Sequence, residues 1–401
     1  MAINKPATSQ STYRTWHSTS VPVAGVAYAV FTKPGVFGHG RTDPAALMLA
    51  ERAIVAAGDV VLQLNCGGGL FSAVAAASAE RVVLTDRNVL SVEAARRTMT
   101  ANNIGNAEVV LGHGTSTLAA THTADVVAIR IPEHRLAVLQ LLRNALSALR
   151  LGGRCYIAGA NNEGIKTAAR TMEQLFGNAT VLDNHSGSRI VAATKRTESV
   201  PEGAELHSQY IDPDTFNELT ATLHGHALQL FSRPGVFSWD HVDEATQVLA
   251  DCMRVNAGDS VLDLGCGSGG LGAVAALLSS TGAVCMLDAD VEAVRSAMRT
   301  VTAAGITNAR VLPSDVCSAV ADEQFDVVVA NPPFHVGKAT DLSVPFQFIH
   351  ESWDALAPGG TLFLVANRTL PYERAVVQRF GNIETVHDGR RFKVLAATRS
   401  R

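Results

Sequence analysis

Short apolar runs alternate with stretches in which apolar residues recur every three or four positions. In the second half VLDLG (261–265), AVCMLD (283–288), ARVLPS (309–314), FDVVVA (325–330) and TLFLVA (361–366) predict strands. Between the second and third, Val291, Val294, Met298 and Val301 fall at helical spacing behind Asp290, a residue suited to an N-cap, and predict a helix. Strands alternating with helices predict an α/β fold, a parallel sheet covered on both faces. Such sheets bind ligands at the carboxyl ends of their strands.

The pattern is written twice. FTKPGVF at 31–37 returns as FSRPGVF at 231–237, and GDVVLQLNCGGGL at 58–70 returns in the same register as GDSVLDLGCGSGG at 258–270. TADVVAIRIPEH (123–134) is answered by QFDVVVANPPFH (324–335), and ALRLGG (148–153) by ALAPGG (355–360). A whole order of segments repeated at one offset is an internal duplication and predicts two tandem domains. The polar stretch TESVPEGAEL at 197–206 follows the apolar run RIVAAT, which places the boundary between 1–198 and 199–401. The run VPVAGVAYAVF at 21–31 follows Lys5 and Arg14 and has the small residues of a leader peptide. Its fixed place before the first FTKPGVF reads instead as part of the repeat, and the protein as cytoplasmic.

With 401 residues there is room for two separate cores. An apolar share of 47% against 17% charged excludes disorder, and no apolar run reaches the roughly 18 residues of a membrane span. The net charge of −4 leaves any nucleic-acid contact to a local basic surface. Residues 366–401 offer one, with eight cationic side chains against three acidic ones, and Arg368 and Lys338 are placed nearest the expected cleft mouth. The six cysteines form no C-x-x-C pair and no zinc spacing with histidine, so no metal is expected and the thiols read as reduced and buried.

The turn VLDLGCGSGG carries the first chemistry. Gly265, Gly267 and Gly269 allow a backbone path and a close ligand approach that a Cβ would block, with Cys266 held among them. Gly265, Gly267 and Gly270 also satisfy the dinucleotide fingerprint, so a nicotinamide enzyme is the rival reading at this point. Three aspartates on successive strand ends favour a nucleoside pocket: Asp263 near an ammonium or the loop amides, Asp288 for a ribose diol, and Asp315 for an adenine amino group. The fourth strand ends in Asn331-Pro332-Pro333-Phe334. Two prolines fix the backbone so that the Pro332 carbonyl points into the cleft beside the Asn331 amide oxygen. Two acceptors on a planar exocyclic amine favour pyramidalisation and aim its lone pair at an electrophile, while Phe334 gives a base taken out of its helix a stacking face.

Together these residues resemble the class I S-adenosylmethionine-dependent methyltransferases that modify exocyclic amines. The tandem arrangement, PGVF, NPPFH and Val365-Ala366-Asn367 resemble the ribosomal RNA guanine-N2 methyltransferases of the small-subunit methyltransferase C and large-subunit methyltransferase G type. The resemblance implies two Rossmann-like methyltransferase domains, with S-adenosylmethionine held by Asp263, Gly265, Cys266, Gly267, Gly269, Asp288, Asp315 and Asn331. It implies catalysis at Asn331, Pro332, Pro333 and Phe334, and substrate contact through Phe334, His335, Lys338 and Arg368. The reaction implied is in-line displacement on the sulfonium with no strong base, acting on ribosomal RNA or the small ribosomal subunit as a monomer. Large-subunit RNA, adenine N6, a protein glutamine amide and a catalytically inactive RNA-binding assembly factor are the alternatives; a tyrosine in place of Phe334 is usual for glutamine.

The first half departs where chemistry would need it. Gln63 answers Asp263, Asn65 answers Gly265, and Arg130-Ile131-Pro132-Glu133 answers Asn331 to Phe334. Gly67, Gly68, Gly69 and Asp86 persist. The expectation is a non-catalytic upstream copy that supports an active downstream one.

Overall fold

The computed structural model describes residues 12–116, 118, 123–203, 206–333, 335–336, 339–340 and 342–400. Its first half runs β1 (His17–Val23), β2 (Val26–Thr32), α1 (Pro44–Arg52), β3 (Val60–Leu64), α2 (Leu70–Ala75), β4 (Arg81–Asp86), α3 (Val89–Ala101), β5 (Ala107–Leu111), β6 (Ala124–Arg130), α4 (Arg135–Ala148), β7 (Leu149–Ala160), α5 (Ile165–Phe176), β8 (Thr180–His185) and β9 (Ser188–Thr194). The second repeats that order as β10 (Asn217–Leu223), β11 (His226–Ser232), α6 (Glu244–Cys252), β12 (Val261–Leu264), α7 (Gly270–Leu278), β13 (Val284–Asp288), α8 (Val291–Ala303), β14 (Ala309–Pro313) and β15 (Phe325–Ala330). It continues with β16 (His335–Val336), β17 (Ala339–Thr340), α9 (Ser343–Ala355), β18 (Leu356–Asn367), α10 (Tyr372–Phe380), β19 (Glu384–Asp388) and β20 (Phe392–Thr398).

Each half builds a seven-stranded sheet, ordered β5-β4-β3-β6-β7-β9-β8 and β14-β13-β12-β15-β18-β20-β19. The central strands pair in parallel and are buried on both faces, which is why they read as continuous apolar runs. In β15, Val327 and Val329 pack on the side of Leu249, Val274 and Met286, while Val328 and Ala330 pack with Leu264, Ile349 and Leu395. The purely parallel sheet expected from the alternation needs one correction, because β9 and β20 run antiparallel to their neighbours. The helix expected from Val291 to Val301 is α8, but Met298 lies on its exposed side; small residues, Ala293 and Ala297, share the buried face with Val294 and Val301.

The apolar run at 21–31 is the first hairpin. Ala24 and Gly25 both take left-handed backbone angles, φ 49° and 83°, as do His224 and Gly225 in the second hairpin, and two such residues close a tight turn matched to strand twist.

The halves meet about a local two-fold, where the N-termini of α3 and α8 face each other. Val89 donates its amide to Ala289 and Val291 to Arg87, at 2.9 and 2.8 Å, and Asn88 bridges Asp290. Arg87 is half-buried there on the Asp290 carboxylate and donates to the Pro234 carbonyl at 3.2 Å. Strand carboxyl ends of both sheets open near this contact, so each crevice has the other half as one wall.

Candidate active site

The downstream crevice is floored by the turn between β12 and α7. Gly265, Gly267 and Gly269 have φ of 79°, 53° and 85°, left-handed values that a side chain resists. A Cβ at Gly269 would fall 2.9 Å from Ala297, whereas one at Gly267 would meet nothing within 4 Å, so the turn is packed against α8 on one side and open to the crevice on the other. Cys266 is buried, and burial pushes its thiol well above the usual range, so it contributes backbone here.

Asp288, at the end of β13, accepts from the Gly267 amide and from the Asp290 amide, both at 2.9 Å. Each oxygen keeps a lone pair for a hydroxyl. Burial, then the neighbouring Asp290, push its carboxyl up to about 6. Asp263 is fully buried, and its Oδ2 accepts from the Gly272 amide at 2.8 Å. It braces the turn from below, and its other oxygen, Oδ1, has no protein donor. Burial pushes this carboxyl up to about 7, aided by the charge on Asp288.

Asp315 marks a contribution from the first half that sequence reasoning does not reach. Its carboxylate accepts from the Tyr13 hydroxyl at 2.8 Å and from Arg14 at 3.0 Å, and pairs with Lys33, which is 1% exposed. The Lys33 ammonium also lies 4.1 Å from the centre of the Tyr13 ring. Lys33 stands in FTKPGVF, so this turn reaches across to the far end of the other half's crevice; the repeated motif is visible in the chain, its cross-domain reach is not.

Asn331 ends β15 in a closed network. Its Nδ2 donates to the Asp243 carboxylate at 3.0 Å and to the Thr246 hydroxyl at 3.1 Å, while that hydroxyl donates to the same carboxylate at 3.0 Å. Asp243 is also the N-cap of α6, accepting from the Thr246 amide at 2.8 Å. An ionised carboxylate accepts only, so the amide nitrogen must face it and Oδ1 must turn the other way. Pro332 is buried and Pro333 exposed beside it. Phe334 and Lys338, and the side chain of His335, lie outside the described residues.

Upstream, the same positions are filled differently. Asn65 replaces Gly265 at φ 58° and donates to the Arg130 carbonyl at 2.6 Å, across the crevice. Gln63 replaces the acid and accepts from Ser72 Oγ at 2.6 Å. Arg130 replaces Asn331 and is held by Asp43 at 2.8 Å and Glu163 at 2.7 Å. Only the ribose corner persists, with Asp86 accepting from Gly67 and Asn88 at 2.9 Å each. A cavity of about 760 Å³ opens here, but size does not make it the reactive site, because Arg130 replaces the amide acceptor and its NH1 takes up the Ile131 carbonyl.

Lys393, Arg379, Arg391 and Arg399, four of the eight cations of the basic C-terminal run, are engaged by other side chains of the fold. Lys393 is buried on Glu373 and two carbonyls, Arg379 and Arg399 both stack on Trp353 at 4.3 Å, and Arg391 pairs with Glu244. Arg368 is exposed at the end of β18, bonded to the Gly389 carbonyl at 3.0 Å and to Asp388. Among the described residues no group of His, Cys, Asp and Glu is arranged to hold a metal, and no helix is long and apolar enough to cross a membrane.

A sheet of this order, with a Gly-rich turn after its first parallel strand and an acid ending the next, defines a methyltransferase-like α/β unit, present here twice. The methyltransferase small domain model matches residues 27–192 and again 227–396, and the chain belongs to that family. It is 32% identical over 275 residues to the ribosomal RNA small subunit methyltransferase C of Hahella chejuensis, covering 69% of this chain and 78% of that protein. The protein of the same name from Pseudomonas aeruginosa (strain UCBPP-PA14) is 30% identical over 270 residues, covering 67% and 78%. Among solved structures, the T. thermophilus 16S rRNA N2 G1207 methyltransferase, in complex with AdoMet and guanosine, aligns with a TM-score of 0.80 and 30% identity over 96% of this chain and 98% of that one. The duplicated α/β architecture expected from the repeat is therefore shared with that structure over nearly the whole of both chains.

Proposed function

We propose that this chain transfers a methyl group from S-adenosylmethionine to the N2 amine of a guanine in 16S ribosomal RNA, using the downstream crevice alone. The observation that carries this reading is the Asn331 amide, locked by Asp243 and Thr246 with its oxygen turned away from them, beside an intact Gly-rich turn and ribose acid. The names and subject of the relatives, small-subunit methyltransferases and a structure with guanosine, support guanine and the small subunit over adenine or large-subunit RNA.

The residues fit the donor. Gly267 leaves open space where a Cβ would stand, and Asp288 at the turn's edge keeps lone pairs free for a diol. Gly265 to Gly269 and Asp288 would hold the nucleoside, with Asp315 at the base and Asp263 bracing the turn. Bound there, the donor supplies an electrophilic methyl carbon on a sulfonium. The chain's own part is to orient the amine between Asn331 Oδ1 and the Pro332 carbonyl and to hold it in line, which is where most of the acceleration arises. We assign residues 1–198 to a supporting, non-catalytic copy and 199–401 to the catalytic one, in a monomer acting in the cytoplasm.

The test is incubation of the purified chain and donor with 16S RNA from cells lacking the gene, followed by nucleoside mass spectrometry. One new N2-methylguanosine per RNA is expected; none, or N6-methyladenosine instead, refutes the reading.

A further inference from the structure

Phe37 and Phe237 stand at one place in two copies of one turn. Val36 donates its amide to Lys33 and Val236 to Arg233, both at 3.0 Å, and Gly35 and Gly235 share a φ of 90°. Arg130 and Asn331 likewise share one position, each following the residue that pairs with the end of the first parallel strand, Ile129 with Leu64 and Ala330 with Leu264.

Upstream, the Arg130 guanidinium lies over the Phe37 ring, with Cζ 4.3 Å from its centre. Its NH1 donates to the Ile131 carbonyl at 2.8 Å, and Ile131 answers Pro332 in the sequence. A planar guanidine unit is thus stacked on the phenyl ring with an N–H on the carbonyl next in the chain. Downstream that unit is missing. Asn331 is short and turned to Asp243, and Phe237 is 64% exposed where Phe37 is 40%. Phe237 thus offers solvent more of its ring than its upstream counterpart does.

Guanine carries the missing shape, since its C2 with N1, N2 and N3 is itself a planar guanidine unit. We infer that Phe237 is a stacking face for the target guanine, whose C2 edge takes the place Arg130 fills upstream and directs an N2–H at the Pro332 carbonyl. Arg130 is on this view a built-in stand-in for the base, and it keeps the upstream copy closed to one. The inference rests on the guanine-N2 reading above and adds a second stacking face to the one expected of Phe334.

The test compares the parent with Phe237→Ala and Phe237→Tyr. Each is measured for KM on 16S RNA, for guanosine affinity with S-adenosylhomocysteine present, and for S-adenosylhomocysteine affinity alone. Base–aromatic stacking predicts a loss of about ten- to hundred-fold in RNA KM and guanosine affinity for the alanine variant. The tyrosine variant should stay within about two-fold, because it keeps the ring, and S-adenosylhomocysteine should bind all three alike. Alanine within two-fold of the parent on both RNA and guanosine overturns the inference, as does an equal loss of S-adenosylhomocysteine binding, which would place the ring on the donor. A parent that methylates no guanine overturns the underlying reading instead, and the two failures are told apart by the parent alone.

Discussion

Asp243 holds Asn331 while capping α6, so one carboxylate fixes both the start of a helix and the direction of the amide proposed to receive the target amine. The two duties separate on substitution. Serine keeps N-cap ability but is too short to hold the amide, so Asp243→Ser should keep stability within about 0.5 kcal/mol. The turnover rate should fall by about a hundred-fold, as expected when a reacting group loses its orientation. Steady-state kinetics beside thermal unfolding checks both; an unchanged kcat would show that Asn331 needs no orienting partner.

Lys33 is nearly inaccessible and rests on Asp315 of the other half. Removing one member of such a pair leaves a poorly solvated charge, although Arg14 and Tyr13 remain on Asp315. Lys33→Met should cost about 3 kcal/mol, the low end of the range for a broken buried pair. It should also weaken donor binding, because Asp315 is proposed to hold the base end of the donor. Urea unfolding and calorimetry with S-adenosylhomocysteine test this, and a loss under about 0.5 kcal/mol with unchanged affinity would mean the pair is incidental.

Asp263 sets a pH dependence with a definite sign. Its carboxyl titrates near 7 when folded, raised by burial from the ordinary value of 3.8. Between these values the folded chain holds a proton that the unfolded chain has lost, so this group's contribution to stability is present at low pH and declines as pH rises toward 7. Asp263→Asn removes the titration. Melting of the ligand-free proteins should therefore show the variant gaining on the parent between pH 5 and pH 8. A difference that stays constant with pH would contradict a buried, protonatable Asp263.

The repeat alone locates both Gly-rich turns, the strand-end acids Asp288 and Asp86 and the substitution of Asn331 by Arg130, because these depend on local backbone demands that sequence records directly. The partner of Asn331 is not legible in the same way, since Asp243 lies 88 residues away. Nor is the crossing of Tyr13, Arg14 and Lys33 to Asp315, some 300 residues on, which follows from how the halves dock. The basic run misleads for the same reason. Charge along a chain is counted easily, but Lys393 turns inward to Glu373 and its neighbouring carbonyls, and Arg379 and Arg399 flatten onto Trp353. The antiparallel strand β20 follows a tight hairpin with β19, and its apolar run FKVLAAT looks like any buried parallel strand.

The division of work between the copies is tested most directly by calorimetric titration with S-adenosylhomocysteine, run on the parent and on the matched variants Asp288→Asn and Asp86→Asn. One molecule bound per chain is predicted, nearly lost in the first variant and retained in the second. Two molecules per chain, or binding that survives at Asp288→Asn and disappears at Asp86→Asn, would contradict a donor site confined to the downstream half.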